Sequence, residues 1–248
     1  YQNEGDLNYY KCGQIINKTT DPVATKYGKL EGIEVGEGGV MIKFYIKYRN
    51  IAKKGDKVTN YTALKGVIST VIEEGYEAFT LNEPNEEIST MIAPGAVLAR
   101  KTPSILLAMF SNKCVIKMTE KIRKMYLESK DSISVRRKNL MKFLCDSLDK
   151  IDPSGDNSKI YHKKFDKMSD TEFNKYMTEF LSNKDKYFYV EMIEYQRDLK
   201  MENIEAMAKF IGIELYEKVA IPYITMDKSN AVITPTPVPV GHIHEKLT

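Results

Sequence analysis

The chain has 248 residues, 42% of them hydrophobic and 29% charged, which is enough for one large domain or two small ones with a packed core. A formal net charge of +3 excludes a globally basic nucleic-acid binder, so any polyanion contact has to rest on local clustering. The longest apolar runs fall well short of the ~20 residues a membrane helix needs. No signal-peptide pattern opens the chain, and a first residue other than Met leads to the expectation of a piece of something longer. Cys12, Cys114 and Cys145 lie far apart without paired spacing, which argues against a disulfide framework or a zinc site and for a reducing compartment.

In chain order, residues 1–27 are polar, with a short strand expected over 10–16 and a turn at Asp21-Pro22. Residues 29–35, the glycine cluster 36–39 and residues 40–48 read as a β-hairpin with a glycine-rich loop. Gly55-Asp56 is a turn, 61–65 a loop, and 66–72 a buried strand rich in Val and Ile. Residues 73–87 are acidic and loop-like, 88–92 a short strand, and Pro94-Gly95 a turn. Pro103 stands just ahead of a helix start at 104–110. From about residue 119 the spacing becomes helical, with apolar residues three and four apart over 119–130, 134–150, 170–182, 187–200 and 201–218. Ser169 or Asp170 is the expected N-cap before Glu172. Residues 119–218 carry 20 basic and 19 acidic side chains, the balance of a solvated helical bundle. Strand texture returns over 219–225 and 231–240. Pro235, Pro237 and Pro239 confine the latter to an edge or an extended segment. The expected order is a β-rich part (1–118), an inserted helical block (119–218) and return strands (219–248) that pack on the first β region.

The usual catalytic constellations are missing. There is no phosphate-binding G-x-x-x-x-G-K-[ST] loop and no G-x-S-x-G elbow. His242-x-His244 on a strand would put both rings on one face, a possible metal spacing with no third ligand nearby. Asn60-Tyr61-Thr62 matches the glycosylation triplet by chance. What remains is cationic: residues 41–65 hold seven Lys or Arg against one acid, Asp56, a bias far above that of the whole chain. Lys57 and Lys65 sit on either side of a short polar segment, each near glycine. Glycine lets backbone approach a ligand closely, and lysine is a compact point charge suited to phosphate. Arg100 offers a bidentate fork for phosphate. The same lysines also fit ordinary solvated positions beside turns.

These residues carry a family resemblance. The run 55–69, GDKVTNYTALKGVIS, resembles the GDK-x-A-x-RHG-x-KGVIS signature of the β subunit of multisubunit DNA-directed RNA polymerases, with Gly55, Asp56, Lys57, Lys65 and Gly66 in place. Residues 92–107, IAPGAVLARKTPSILL, resemble the family's NPLGVPSRM segment, with Pro94, Val97 and Arg100 matching. Residues 236–247, TPVPVGHIHEKL, resemble its PVTVGYMYMLKL segment, and residues 10–20 resemble an upstream segment containing GD-x-L-x-GK. The four landmarks come in the family's order and cover roughly 10–107 and 220–248. The family's Arg-His-Gly is Tyr61-Thr62-Ala63 here, and its next Asn is Leu64. The divergence and the residue bias, with 16 Tyr and no Trp, resemble the split β subunits of giant bacteriophages, in which this would be a C-terminal part.

The resemblance implies an α+β fold in which a double-psi β-barrel region is interrupted by the helical block. It implies that Lys57 and Lys65 contact RNA or the initiating nucleotide, and that Arg100 contacts the triphosphate of the incoming nucleotide. It gives the chain no catalytic residue and no metal ligand of its own, because the Mg ions are bound by a β′-like partner. The implied partners are β′-like and other β-like subunits, template DNA, nascent RNA and nucleoside triphosphates, with no membrane. The implied location is the cytoplasm of an infected bacterial host, or the virion. Phe44, Tyr45 and Tyr48, interleaved with basic residues, keep a second reading open: a stand-alone single-stranded nucleic-acid binding module without catalysis.

Overall fold

The structure, a computed structural model, describes residues 14–18, 28–30, 33–35, 44–47, 51–62, 64–100, 104–191 and 199–247. The chain divides into two compact units, Tyr1–Lys53 and Lys54–Thr248. Helices and small antiparallel sheets occur together, which makes the fold mixed α+β.

The first unit contains β1 (Gln14–Lys18), β2 (Gly28–Leu30), β3 (Ile33–Val35) and β4 (Phe44–Lys47). β2 pairs with β3, and β1 pairs with β4 with a register shift between Ile15 and Asn17; both pairs are antiparallel. The expected hairpin of 29–35 with 40–48 is therefore not formed. Its first arm divides into β2 and β3, which pair with each other, and β4 from its second arm pairs with β1 upstream. That cluster and the Asp21-Pro22 turn lie outside the described residues.

The second unit opens with β5 (Lys57–Asn60), β6 (Lys65–Val67), β7 (Ala78–Thr80) and β8 (Glu87–Ile88). Helices follow: α1 (Pro94–Arg100), α2 (Ser104–Glu128), α3 (Ile133–Ile151), α4 (Asp156–Phe165), α5 (Asp170–Ser182) and α6 (Met201–Ile211). The chain closes with β9 (Tyr216–Glu217), β10 (Val219–Ile221), β11 (Val232–Ile233), β12 (Val238–Pro239) and β13 (Glu245–Leu247). Pro94 is the first residue of α1 rather than part of a free turn; its lost N–H would have had no helical partner there. α2 starts at Ser104 and runs through residue 119, where apolar periodicity first becomes obvious in the sequence.

Each helix buries one stripe. On α2, Phe110, Cys114, Met118, Ile122 and Tyr126 repeat every fourth residue and are all buried. α3 turns Leu140, Leu144, Leu148 and Ile151 inward and packs against α2, α4, α5 and α6. The core is filled by Phe165, Phe173, Phe180 and Phe188, with Phe180 and Phe188 4.7 Å apart between ring centroids. Each such side chain contributes on the order of 1.5–3 kcal/mol by leaving water. Ser169 caps α5 in a capping box: its hydroxyl accepts from Glu172 N, and Glu172 Oε2 accepts from Ser169 N at 2.7 Å. α6 ends at Gly212, where φ is +72° and the N–H of Ile213 donates to Ala208 O at 3.0 Å.

Helical spacing misleads between α5 and α6. Residues 187–191 are not helical, and 192–198 lie outside the described residues. Side chains of α2 and α4 take up the backbone groups of this segment. Phe188 N donates to Thr119 Oγ1 at 3.2 Å, and Tyr189 N donates to Tyr161 Oη at 2.9 Å. Glu191 N donates to Asn157 Oδ1 at 2.7 Å, while Asn157 Nδ2 donates back to Glu191 O at 3.1 Å. Asn157, Tyr161 and Thr119 are buried, so these bonds replace those a helix would make.

Strands from the end of the chain pair with strands from before the helices. β10 lies between β11 and β7, giving the order β11-β10-β7-β8, and β13 joins β5 and β6 in the order β13-β5-β6. Pro239 sits in β12, which among the described residues pairs only with β9, an edge position that tolerates proline.

Candidate functional site

The hairpin β5–β6 is organised from its turn. Asn60 ends β5 and is 7% exposed. Its Oδ1 accepts from Thr62 N at 3.1 Å, Thr62 Oγ1 at 2.7 Å and Leu64 N at 3.3 Å, while its own N–H donates to Leu64 O at 3.1 Å. This side chain imitates a turn of backbone and holds the loop closed. Leu64, buried, pins the loop from below. At the open end, Gly55 N donates to Ile68 O at 2.8 Å and Ile68 N to Asp56 O at 2.9 Å. Gly55 has φ +96°, which a side chain would strain. A Cβ at Gly66 would meet nothing within 4 Å, so packing within the chain does not demand glycine there.

Register then decides where the lysines go. Lys57 pairs with Val67 and Thr59 with Lys65. Alternation along each strand puts these four residues on one face, with Lys57 and Lys65 on the diagonal, about 7–8 Å apart at that spacing. Both lysines are exposed. The expected buried strand over 66–72 is instead a short edge strand, Lys65–Val67, and Val67 is 61% and Val71 53% exposed.

Helix α2 anchors this sheet. Asn112 Nδ2 donates to Tyr61 Oη at the hairpin tip and to His242 O, both at 3.0 Å. His242 N donates to Met109 O at 3.3 Å. Gly241 lies against the helix so closely that a Cβ would come 2.6 Å from Met109 O, leaving no room for any other residue. Thr90 Oγ1 donates to Glu245 Oε2 at 3.2 Å on β13.

Arg100 and Pro94 are the last and first residues of α1, an element separate from the hairpin. The side chain of Arg100 lies outside the described residues. The lysines therefore share one hairpin face, and Arg100 is located only by its helix.

Beside the sheet is a charged cluster that sequence reading did not single out. Lys117, on α2, reaches Glu83 and Glu86 at 2.8 Å each and Glu120 at 3.3 Å. Burial opposes its charge, but the surrounding carboxylates outweigh that and hold its pKa above the usual lysine value. Burial pushes Glu83 up. Glu86 is held down: bonds from Glu83 and Lys117 overcome its own desolvation. His242 Nε2 stands 3.7 Å from Glu86 Oε1, and its pKa is lowered, chiefly by burial. One turn earlier on α2, Lys113 is buried against Glu217 of β9.

Residues 241–244 form no strand, so the expected His242-x-His244 geometry does not arise; His242 turns to Glu86 and His244 is exposed. Among the described residues no group of three or more His, Cys, Asp or Glu could hold a metal ion. Burial pushes the Cys114 thiol up to about 12 and that of Cys145 to about 11, so neither offers a thiolate near neutral pH. No helix among the described residues is long and apolar enough to cross a membrane.

Sequence reading missed Asn60 as the organiser of the hairpin. The usable signal was an Asn two residues before Thr in a short loop between strands. Gly241 had no local signal, because its constraint comes from a helix some 130 positions upstream. No protein-family model matches the chain, and no curated protein matches it.

Proposed function

We propose that this chain is a C-terminal part of the β subunit of a multisubunit DNA-directed RNA polymerase, of the split kind found in giant bacteriophages. In this reading its small sheets contribute to a double-psi barrel at the active centre. Lys57 and Lys65 hold the RNA end or initiating nucleotide, and Arg100 holds the incoming triphosphate. The Mg ions belong to a β′-like partner and would neutralise charge on the reacting phosphates. Nucleotidyl transfer needs alignment and charge neutralisation more than covalent chemistry, which is what fixed cations supply. The observation that supports the reading most is the register of β5 and β6, which gives both lysines of the motif one exposed face.

The test is kinetics of the assembled enzyme carrying Lys57→Ala, Lys65→Ala or Arg100→Ala. Hydrogen bonds to charged groups contribute ~1.5–3 kcal/mol, so each loss should cost roughly 10–100-fold. For Arg100→Ala the cost should appear mainly in nucleotide KM; for the lysines, in retention of the initiating nucleotide and short RNA. Near-normal values for all three variants would sink the assignment.

A further inference from the structure

Residues 219–244 stand apart from the rest of the chain in charge. They carry two Asp, Glu, Lys or Arg side chains in 26 residues, Asp227 and Lys228, where the whole chain is 29% charged. Asp227 is engaged within its own turn: its Oδ1 accepts from Ser229 N at 2.9 Å and from Ser229 Oγ at 2.7 Å. The stretch is nonetheless at the surface. Tyr223, Ile224, Met226, Val232 and Ile233 are between 37% and 60% exposed. They belong to one hairpin, because Ile221 of β10 pairs with Val232 of β11 and residues 222–231 connect the two. Met226 lies in that connection at φ +52°, a left-handed conformation that strains a bulky residue. Thr225 Oγ1 donates across it to Asp227 O at 3.1 Å, which holds the turn in this form with the Met226 side chain exposed.

The hairpin also leaves a strand edge open. β11 ends the sheet β11-β10-β7-β8, and among the described residues it pairs only with β10. Thr234 N donates to Val219 O at 2.9 Å, so antiparallel alternation turns the N–H and C=O of Ile233 away from β10. Two other edges are guarded: β6 carries Lys65 and β8 carries Glu87, charges that discourage a further strand. β11 carries Val232 and Ile233 alone. Pro235 follows closely, which limits pairing to a short segment. The size of the patch points the same way. Five side chains at these exposures leave on the order of 400 Å² of apolar surface. A stable interface between two folded proteins takes ~800 Å² from each partner. A second folded copy seated on this patch would be short of contact, whereas one extended segment matches it.

We propose that β11 and the 222–226 turn receive one extended, uncharged, β-branched segment of another polypeptide, which adds a fifth strand to the sheet beside β11. The backbone of that segment exchanges hydrogen bonds with Ile233. Val232 and Ile233 point to opposite faces, so its alternate side chains find one apolar neighbour on each. Main-chain bonds supply affinity in this mode and side-chain contacts supply selectivity. Methionine suits the margin of such a site because it adapts to side chains of differing shape. A charged segment is disfavoured, because its desolvation finds little compensation on a surface whose charges are Asp227, already bonded, and Lys228. The proposal rests on register, exposure and charge, and not on the polymerase reading.

The test is fluorescence anisotropy of a short labelled peptide of alternating threonine and valine, titrated with the 248-residue chain. Saturable binding is expected at or below about 1 mM. Hydrogen exchange followed by NMR should show the Ile233 amide slowed in the complex. Ile233→Lys, which puts a charge on the edge, should weaken binding by roughly tenfold or more. Val71→Lys, at another exposed apolar position, should match the parent. The same peptide N-methylated at alternate residues should not bind, a control that leaves the protein untouched. Met226→Gly removes the side chain and the strain together; it should raise the thermal midpoint while weakening the peptide several-fold. No saturation by that concentration, full affinity in Ile233→Lys, or an equal loss in Val71→Lys overturns the site. Binding that leaves the Ile233 amide unprotected, or that survives N-methylation, overturns strand addition. Unchanged affinity in Met226→Gly removes the turn from the site. Equal affinity for a peptide of alternating threonine and glutamate overturns the uncharged partner. Concentration-dependent dimers of the parent in sedimentation, abolished by Ile233→Lys, would give the edge to a second copy and overturn the partner segment. Lys57, Lys65 and Arg100 lie outside this hairpin, so their kinetic test stands or falls separately.

Discussion

Asn60 shows how one side chain can carry a site it does not belong to chemically. It contacts no phosphate in the reading proposed above, yet its single oxygen closes the loop that sets Lys57 and Lys65 in register. Asn60→Ala leaves the buried N–H of Leu64 without that acceptor, at a cost of ~1–3 kcal/mol. Urea unfolding should show the lower midpoint with an unchanged slope, and Asn60→Asp, which keeps the acceptor, should lose less. Equal midpoints for the alanine variant and the parent would mean that the loop is held by Leu64 alone. Gly241 is the second residue of this kind: it is glycine because helix backbone passes within contact of where a Cβ would stand.

At the scale of elements, α2 is the joint of the second unit. Its apolar stripe faces the bundle, while Lys113 meets β9 and Asn112 and Lys117 meet the loops beside the strands. The buried Lys113–Glu217 pair ties the helix to β9, and Glu217 Oε2 has no hydrogen-bond partner, so this joint is charged but incompletely satisfied. Such pairs contribute little net stability as pairs, yet breaking one strands a charge in a dry site. Lys113→Met alone should cost ~3–5 kcal/mol, and Lys113→Met with Glu217→Leu should recover most of the loss. A double-mutant cycle by urea unfolding measures this directly. If the single change costs no more than a surface substitution, water reaches Glu217 and the joint is not dry.

At the scale of the whole second unit, His242 senses how the pieces meet. It lies where the 241–244 segment, the loop carrying Glu86 and helix α2 come together, and it faces Glu86, Lys117, Lys113 and Glu120. Burial lowers its pKa below the ordinary 6.5, an effect that Lys117 and Lys113 reinforce and Glu86 opposes. The folded chain then binds fewer protons than the unfolded chain in the window just below 6.5. Stability associated with His242 is complete above 6.5, falls as pH drops through that window, and levels off below the folded value. Thermal melts across mildly acidic pH should show this slope in the parent and lose it in His242→Asn. The same slope in both proteins would assign the effect to the carboxylates instead.

Much of this protein is legible in its sequence because it depends on near neighbours. Fourfold spacing announces α2 and α3, Ser169 and Glu172 announce the start of α5, and β-branched runs after residue 218 announce the return to strands. The two lysines beside glycine were visible as candidate cations for the same reason. Strand partners were not legible, because strands of two to five residues carry too little pattern to select one another. β4 paired with β1 rather than with the arm beside it, and only tertiary packing made that choice. Residues 187–191 had helical spacing but gave their backbone bonds to Thr119, Tyr161 and Asn157, because buried side chains with fixed positions offered better partners than the next turn of helix. Local sequence thus determined which residues could be helical, apolar or cationic. Only the tertiary structure decided that Lys57 and Lys65 share a face and that β13 joins their sheet, because strand register is set by contacts between segments nearly two hundred residues apart.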